Sequence, residues 1–271
     1  MPELPEVETI VRTLAPIVAG AKVVEVRLHR ADILEPANID LPKLLVGGTL
    51  KTVHRRAKRI VFTTNSDQQF YIHLGMSGRL SAEPPDSQMV KHTHLVLTIR
   101  KNKLLSQIRF TDPRRFGGVF WIGDAATATD DLGPEPLELA DAVLIAQLAK
   151  TRRPIKTALL DQSIIAGIGN IYADESLFEA GIHPLTPAAS LSKKQISKLN
   201  KAIKKILLTA INFKGSTLRD YRNANGESGG FQLQHKVYDR EDQPCAKCQT
   251  PITRIVLGGR STCFCVKCQK R

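Results

Sequence analysis

All five cysteines of this 271-residue chain fall in its last 27 residues, and the first 244 residues contain none. Four of them form two C-x2-C pairs separated by sixteen residues: Cys245, Cys248, Cys265 and Cys268. This is the spacing of four-thiolate zinc sites, in which each pair sits on a tight turn. Redox C-x-x-C motifs are the alternative, but neither pair follows a βαβ pattern. Because four thiolates leave no position open for water, the sequence predicts one structural Zn2+ ion, with Cys263 as a small packed residue.

The net charge of the chain indicates which class of partner it binds. Lys and Arg number 39 against 26 Asp and Glu, which gives a formal net charge of +13. Such an excess attracts polyanions, and nucleic acid is the usual one in the cytosol. An apolar fraction of 42% excludes a disordered or collagen-like chain. Charged residues interrupt every apolar stretch, and the start lacks a signal-peptide pattern, so we expect a cytoplasmic protein with no membrane association.

Periodicity changes twice along the chain. An amphipathic helix is predicted near the start from Val7, Ile10, Val11 and Leu14, and residues 21–121 have short β-branched and aromatic runs separated by turn residues. The predicted strands include Arg59–Thr64, Phe70–Leu74, His94–Ile99 and Leu104–Phe110. Residues 124–136 have neither period and read as a linker. Helical patterning follows, with one apolar face formed by Ile196, Leu199, Ile203, Leu207 and Ala210.

The first residues contain a candidate nucleophile. Removal of Met1 before a small second residue would expose Pro2 as a free secondary amine. An α-amino group titrates near pH 8, and the positive end of a following helix lowers its pKa further. Glu3 and Glu6 bring carboxylates beside that amine, where they could relay protons. The same residues are also common at helix starts, where they serve capping, so this pattern alone leaves both interpretations open.

Two further segments are candidates for function. Residues 55–59 place four cations in five positions before a predicted strand, which suits either a phosphate-contacting surface or a solvated turn. Residues 215–230 form a polar stretch rich in Ser, Thr, Asn, Arg and Gly. That stretch is too long for a simple connection, so we interpret it as a functional loop.

Several ordered motifs together resemble one family. They are PELPEVE at 2–8, RAK at 56–58, HLGMSG at 73–78, TDPRRFG at 111–117, GNIY at 169–172 and the cysteine pairs. In this order and spacing they closely resemble bacterial formamidopyrimidine-DNA glycosylases over nearly the whole chain. The resemblance favours the catalytic interpretation of Pro2.

The resemblance implies an α+β fold with several domains. Residues 1–123 would form a catalytic antiparallel β-sandwich with flanking helices, followed by the linker 124–136. Residues 137–231 would form a helical domain with a helix-two-turn-helix element and a lesion-covering loop. Residues 232–271 would form a β-hairpin zinc finger with four cysteine ligands.

The resemblance also implies a bifunctional DNA glycosylase and AP lyase of base excision repair. Its partner would be double-stranded DNA that contains oxidised purines, such as 8-oxoguanine or formamidopyrimidines, or abasic sites. Pro2 would form a Schiff base, Glu3 and Lys58 would donate protons, and Arg260 would serve δ-elimination and phosphate binding. Glu6 would lie in the lesion pocket. The family further implies a monomer.

The resemblance assigns the DNA contacts less evenly. Met76, Arg114 and Phe116 match residues that fill the gap left by an everted base. The remaining contacts, all to the DNA backbone, would come from His92, Lys156, Asn170 and Tyr238. A rival within the superfamily is an endonuclease VIII-like glycosylase for oxidised pyrimidines, against which the three gap-filling residues argue. A rival from another class is a non-catalytic zinc-finger protein that binds DNA.

Overall fold

The computed structural model describes residues 2–124, 131–218 and 221–270. Met1 and residues 125–130 of the predicted linker lie outside this part of the chain. None of the helices in these described ranges combines the length and the hydropathy that a membrane-spanning segment requires. The cytoplasmic location stays a prediction.

The chain divides into two compact units. The first contains Met1–Asp130 and Lys214–Gly230, and the second contains Asp131–Phe213 and Phe231–Arg271. The sequence places the loop 215–230 in the helical segment, whereas the structure packs it with the strand-rich unit. The separation of a linker and an independent zinc finger stays a prediction.

The first helix, α1, runs from Leu4 to Val18 as the periodicity predicts. Its start is fixed by a capping box in which Glu3 and Glu6 bond each other's backbone N–H groups, and by a proline in the first turn. The face predicted to be apolar is buried: Val7, Ile10, Val11 and Leu14. Burial of this face, rather than helix propensity alone, stabilises α1.

Among the described residues of the first unit, α1 is followed by nine strands and one short α-helix, α2 (Leu41–Leu45). The strands are β1 Ala21–Leu28, β2 Leu34–Glu35, β3 Thr49–Arg56, β4 Arg59–Thr64, β5 Gln68–His73, β6 Arg79–Glu83, β7 Thr93–Lys101, β8 Leu104–Thr111 and β9 Gly118–Asp124. The four predicted strands correspond to β4, β5, β7 and β8, with ends shifted by at most two residues. Among the described strands only the pair β2–β9 is parallel.

The strands hydrogen-bond in the order β2-β9-β5-β4-β3-β1-β7-β8-β6. Strand β1 joins two halves, because only Ala21 and Lys22 pair with β3 whereas Lys22–Leu28 pairs with β7. A register shift between Val23 and Glu25 marks the change of partner. Such bulges bend a strand and increase its twist.

Both halves of the sheet contribute to one hydrophobic core. Phe62 of β4 and Phe70 of β5 stack with ring centroids 4.8 Å apart. Leu97 of β7 and Phe110 of β8 belong to the same buried cluster as these two rings. Two sheet halves that share one apolar layer form a sandwich, which confirms the predicted β-sandwich.

The part of the second unit that the structure describes contains four α-helices: α3 Asp141–Leu148, α4 Ile155–Leu160, α5 Asn170–Ala180 and α6 Lys193–Asn212. Ser192 caps α6 by accepting a hydrogen bond from the N–H of Gln195. The apolar face predicted for α6 is buried. A hairpin of β10 (Thr253–Leu257) and β11 (Arg260–Phe264) completes this unit. These elements confirm the predicted α+β class.

Candidate functional site

The amino-terminal segment places three candidate residues together in the first unit. Pro2, Glu3 and Glu6 are all buried. The backbone N–H of Glu3 donates to Glu6 Oε2 at 2.9 Å. Pro2 therefore lies immediately before the first turn of α1, where the helix dipole contributes partial positive charge.

Glu6 also holds the loop 215–230. Its Oε1 accepts the N–H of Ser216 at 2.7 Å, and its backbone oxygen accepts the hydroxyl of Tyr221 at 3.2 Å. Burial and the charge of Glu6 raise the pKa of Tyr221 far above its usual value, so the phenol stays a donor. At Gly215, where φ is +80°, an added Cβ would lie 2.7 Å from Glu6 Oε1. Only glycine suits this close approach.

Lys58 lies in the tight turn between β3 and β4, next to Ala57 at φ 55°. Arg55 supports this turn by donating to the backbone oxygen of Ala57 at 3.3 Å and to Glu8 Oε2 at 2.9 Å. Burial alone would raise the pKa of Glu8, but hydrogen bonds from Arg12 and Arg55 lower it. An ionised Glu8 thus ties the turn that carries Lys58 to α1. Neither Glu8 nor Arg55 was predicted from the sequence as a support for this turn.

The three predicted gap-filling residues lie on two loops of the first unit. Met76 is 47% exposed and Phe116 is 56% exposed, although both are large apolar residues. The Arg114 guanidinium lies 4.6 Å from the centroid of the Phe116 ring. Two exposed apolar side chains, of which Phe116 lies next to a cation, suit insertion into a base stack. His92, which immediately precedes β7, is also exposed and has φ 67°.

In the second unit, Lys156 is buried rather than displayed on the surface. Its ammonium lies 2.7 Å from Asp174 Oδ1 and donates to Ser261 O at 2.7 Å and to Thr262 Oγ1 at 2.9 Å. These contacts tie α4 and α5 to β11. The ammonium of Lys156 thus has internal partners in this structure. Its contact with a DNA phosphate stays a prediction.

Asn170 contacts Ser261, the residue that follows Arg260 in the hairpin. Asn170, the first residue of α5, donates from Nδ2 to Ser261 O at 3.0 Å. Arg260 is the exposed first residue of β11 and follows a turn in which Gly258 and Gly259 have φ of 56° and 73°. The neighbour of Arg260 is thus held by the side chains of Lys156 and Asn170, while Arg260 itself is exposed at the hairpin end.

Tyr238 is positioned by a carboxylate, Glu175, that was not predicted as a site residue from the sequence. Glu175 accepts the backbone N–H groups of Lys236, Val237 and Tyr238 at 2.8 to 3.0 Å. Burial raises the pKa of Glu175 in spite of these three bonds. The sequence feature that could have identified Glu175 is its position five residues after Asn170, in the same helix α5.

His235 next to this segment gives a testable pH dependence. Burial lowers its pKa to about 4, although Asp239 acts in the opposite direction. Because the unfolded chain has a pKa near 6.5, it binds the proton first, and the stability that neutral His235 contributes is lost as pH falls below that value. We expect the free energy of unfolding to fall by about 1.4 kcal/mol more in the wild type than in His235→Asn between pH 7.5 and 5.5. Urea titrations of both proteins at both pH values measure this difference in the free energy of unfolding. Equal losses in the two proteins would contradict the interpretation of His235 as a buried, neutral ring.

The four paired cysteines form one cluster in the second unit. Their Sγ atoms all lie within 4.8 Å of one another, with Cys245 to Cys268 at 3.9 Å and Cys248 to Cys265 at 3.4 Å. Thiolates at about 2.3 Å from a tetrahedral zinc ion would be about 3.8 Å apart. The donor set and spacing therefore fit a closed metal site. Cys263 is not one of its four members but packs in the same hydrophobic cluster as Cys245 and Cys265.

Comparisons with protein families match all three parts of the chain. Residues 1–119 match the formamidopyrimidine-DNA glycosylase N-terminal domain, residues 132–222 match the H2TH domain of the same glycosylase, and residues 242–271 match the zinc finger found in FPG and IleRS. The chain belongs to the formamidopyrimidine-DNA glycosylase family. This confirms the resemblance found in the sequence and the prediction of an enzyme.

Relatives of the family cover the full chain. The formamidopyrimidine-DNA glycosylase of Bacillus subtilis is 44% identical, with 100% of both chains covered. The Lactococcus lactis Fpg in complex with an abasic-site DNA superposes with a TM-score of 0.90 at 32% identity and full coverage of both chains. The wild-type Lactococcus lactis Fpg bound to N7-benzyl-Fapy-dG DNA gives a TM-score of 0.91 at 32% identity, again over both full chains.

Proposed function

We propose that this protein is a bifunctional DNA glycosylase and AP lyase that excises oxidised purines from duplex DNA. Membership of the family and the complexes of the Lactococcus lactis relative with abasic-site and Fapy-dG DNA support the substrate class. The observation that carries the proposal is the burial of Pro2, Glu3 and Glu6 at the start of α1. The net charge of +13 suits a polyanionic partner.

The chemistry follows from a free secondary amine at Pro2. Its nitrogen attacks C1′ of the damaged nucleotide while the bond from C1′ to the base breaks. The proton that the nitrogen carried is transferred to the departing base, so the nitrogen regains the lone pair that later opens the sugar ring. Glu3 supplies a proton as the sugar ring opens, which leaves an iminium between Pro2 and C1′. The positive nitrogen makes the C2′ proton acidic, so its loss expels the 3′ phosphate and cleaves the strand. One nucleophile thus serves both activities.

The other candidate residues support these steps. Lys58, at the turn held by Arg55, donates a second proton during β-elimination. Arg260 binds phosphate and assists δ-elimination from the end of its hairpin. Glu6 positions the sugar and base while it holds Ser216 of the loop. Contacts of Asn170, His92 and Tyr238 with phosphates position the duplex.

The gap-filling residues account for access to the lesion. Extrusion of a base from duplex DNA costs a few kcal/mol, and the vacated space must be refilled. Met76 and Phe116 would enter the stack, and Arg114 would face the orphaned cytosine. The exposure of Met76 and Phe116 leaves them available for this role.

The metal is structural in this account. We assign it as one Zn2+ ion held by the four paired cysteines, because four thiolates in a closed set leave no position for substrate or water. Its chemical contribution is to fix the finger. The ordered hairpin then presents Arg260.

A substitution at Lys58 separates chemistry from binding. Loss of a positioned proton donor costs about 100-fold or more in rate. We therefore expect Lys58→Ala to lower the single-turnover rate of strand cleavage on an 8-oxoguanine duplex by about that factor. The dissociation constant should stay within about threefold, since one phosphate contact at most is lost. Arg56→Ala, on the other side of Ala57, is the matched control, and its single-turnover rate should be unchanged. Weakened binding with an unchanged rate in Lys58→Ala would contradict the assignment.

The substrate class is tested by measuring the released base directly. Duplexes carrying 8-oxoguanine opposite cytosine or an oxidised pyrimidine such as 5-hydroxycytosine are incubated with excess enzyme, and free bases are quantified by mass spectrometry. We expect release of 8-oxoguanine and much slower release of the pyrimidine. The reverse preference would support the endonuclease VIII-like alternative. Binding without release of either base would contradict the proposed activity.

A further inference from the structure

The two loops that carry the gap-filling residues touch each other through their backbones. One connects β5 to β6 and contains Gly75 and Met76, and the other connects β8 to β9 and contains Phe116. Gly75 has φ +58°, and a Cβ added to it would lie 2.4 Å from the carbonyl carbon of Phe116. A Cβ added to Gly117 would lie 2.4 Å from the backbone oxygen of His73. The loops therefore pack with no room for a side chain between them.

A single carboxylate bonds both loops. Asp112 is fully buried at 0% exposure, directly after β8. Its Oδ1 accepts the hydroxyl of Ser77 at 2.6 Å, from the first loop. Its Oδ2 accepts the N–H of Gly117 at 2.8 Å, and Oδ1 also accepts the N–H of Arg114 at 3.3 Å, both in the second loop. Asp112 is therefore a shared acceptor for both segments.

Ser77 strengthens the link between the loops. Its hydroxyl oxygen accepts the N–H of Arg114 at 3.3 Å while its proton goes to Asp112. The backbone of Asp112 adds a third segment, since its N–H donates to His92 O at 3.1 Å and its carbonyl oxygen lies 2.8 Å from His94 Nε2. The segments that carry the gap-filling residues and His92 thus converge on one buried residue.

Such a network fixes geometry more than it adds net stability. Hydrogen bonds to a buried charged group are among the stronger ones in proteins, and leaving a donor unsatisfied costs free energy. Exposed side chains such as Met76 and Phe116 gain nothing from the core, so their loops need another means of order. Pre-ordered loops reduce the entropy lost when the residues enter DNA.

We propose that Asp112 is a positioning residue for base extrusion, which holds the two loops as one platform so that Met76, Arg114 and Phe116 enter the duplex together. This inference rests on the gap-filling role given to those residues under the proposed function. Asp112 acts through the loops and touches neither the nucleophile nor the sugar.

Asp112→Asn tests the proposal, because it keeps the shape but directs an amide NH2 group at one of the donors that the carboxylate accepts. Two substrates separate positioning from general damage. A duplex with 8-oxoguanine opposite cytosine requires extrusion, whereas a single-stranded oligonucleotide with an abasic site has neither a paired base nor an orphaned partner. We expect the single-turnover rate on the duplex to fall about 30-fold and cleavage of the single strand to stay within about twofold of the wild type.

Ser77→Ala is the milder companion variant, since it removes one link between the loops and keeps the carboxylate. We expect a smaller loss of about fivefold on the duplex alone. In a Phe116→Ala background, Asp112→Asn should cost less than in the wild type, because one of the three residues that it positions is gone. The thermal unfolding transition of each variant shows whether the variant is folded.

The possible outcomes distinguish a failure of the proposed role of Asp112 from a failure of the proposed function. Equal losses on both substrates, or full additivity with Phe116→Ala, would overturn the positioning role and leave only a structural one. An unchanged duplex rate in a folded Asp112→Asn protein would also overturn it. If the wild type itself excises no 8-oxoguanine but cleaves the abasic strand, the proposed function fails before Asp112 is in question.

Discussion

A form of the protein in which residues remain attached ahead of Pro2 is expected to lose covalent trapping on DNA altogether. An amide nitrogen has no free lone pair for attack, and loss of a catalytic nucleophile lowers rates by about a thousandfold or more. Pro2→Gly, processed to a free primary amine, should trap more slowly than the wild type but measurably. Borohydride reduction on an 8-oxoguanine duplex, followed by denaturing electrophoresis, measures all three proteins.

Binding provides the control for this comparison. All three proteins should bind a duplex with a non-cleavable abasic analogue, with Pro2→Gly within about threefold of the wild type because a ring at the amine contributes little area. If the extended protein traps as fast as the wild type, the nucleophile is not the terminal amine. Lys58 would then be the first residue to examine.

Cys265→Ser has the second largest expected effect. Removing one thiolate opens the four-cysteine site, and the folding free energy of such small units comes from the metal. We expect one equivalent of bound zinc to be lost, affinity for lesion duplex to fall about 100-fold or more, and excision to fall with it. Zinc content is measured by elemental analysis and affinity by fluorescence anisotropy.

Cys263→Ser is the matched control, since Cys263 is buried beside the same cluster but is not one of its four members. It should retain its zinc and bind DNA within about threefold of the wild type. The strand-rich unit should stay folded in Cys265→Ser, as measured by its cooperative unfolding transition. Full activity after verified loss of zinc would contradict the role given to the finger.

Local patterns in the sequence were sufficient for several elements. Some patterns depend only on side chains within one element, so they can be recognised without knowledge of the fold. They are the apolar spacing in α1 and α6 and the β-branched and aromatic runs in β4, β5, β7 and β8. The cysteine spacing likewise predicts a cluster, because both ends of each pair lie on one turn. The grouping of Pro2 with Glu3 and Glu6 follows from their adjacency in the chain alone.

Contacts between distant residues could not be predicted in this way. Ser216 bonds Glu6 across 210 positions, and this places the loop 215–230 with the strand-rich unit rather than the helical one. Lys156 bonds Ser261 across 105 positions, so a lysine that resembles a surface cation is buried. Periodicity contains no information on such pairings. Asp112 was visible only as one letter of a motif, and its partners include a residue of a separate loop.

Identifying the trapped residue tests the central claim most directly. The purified protein is reduced with borohydride on a duplex carrying 8-oxoguanine opposite cytosine, digested, and the DNA-linked peptide is sequenced by mass spectrometry. The account predicts one adduct, on the nitrogen of Pro2 in a chain that has lost Met1. An adduct on a lysine, or no adduct in a protein that lacks Met1 and binds this duplex, would contradict it.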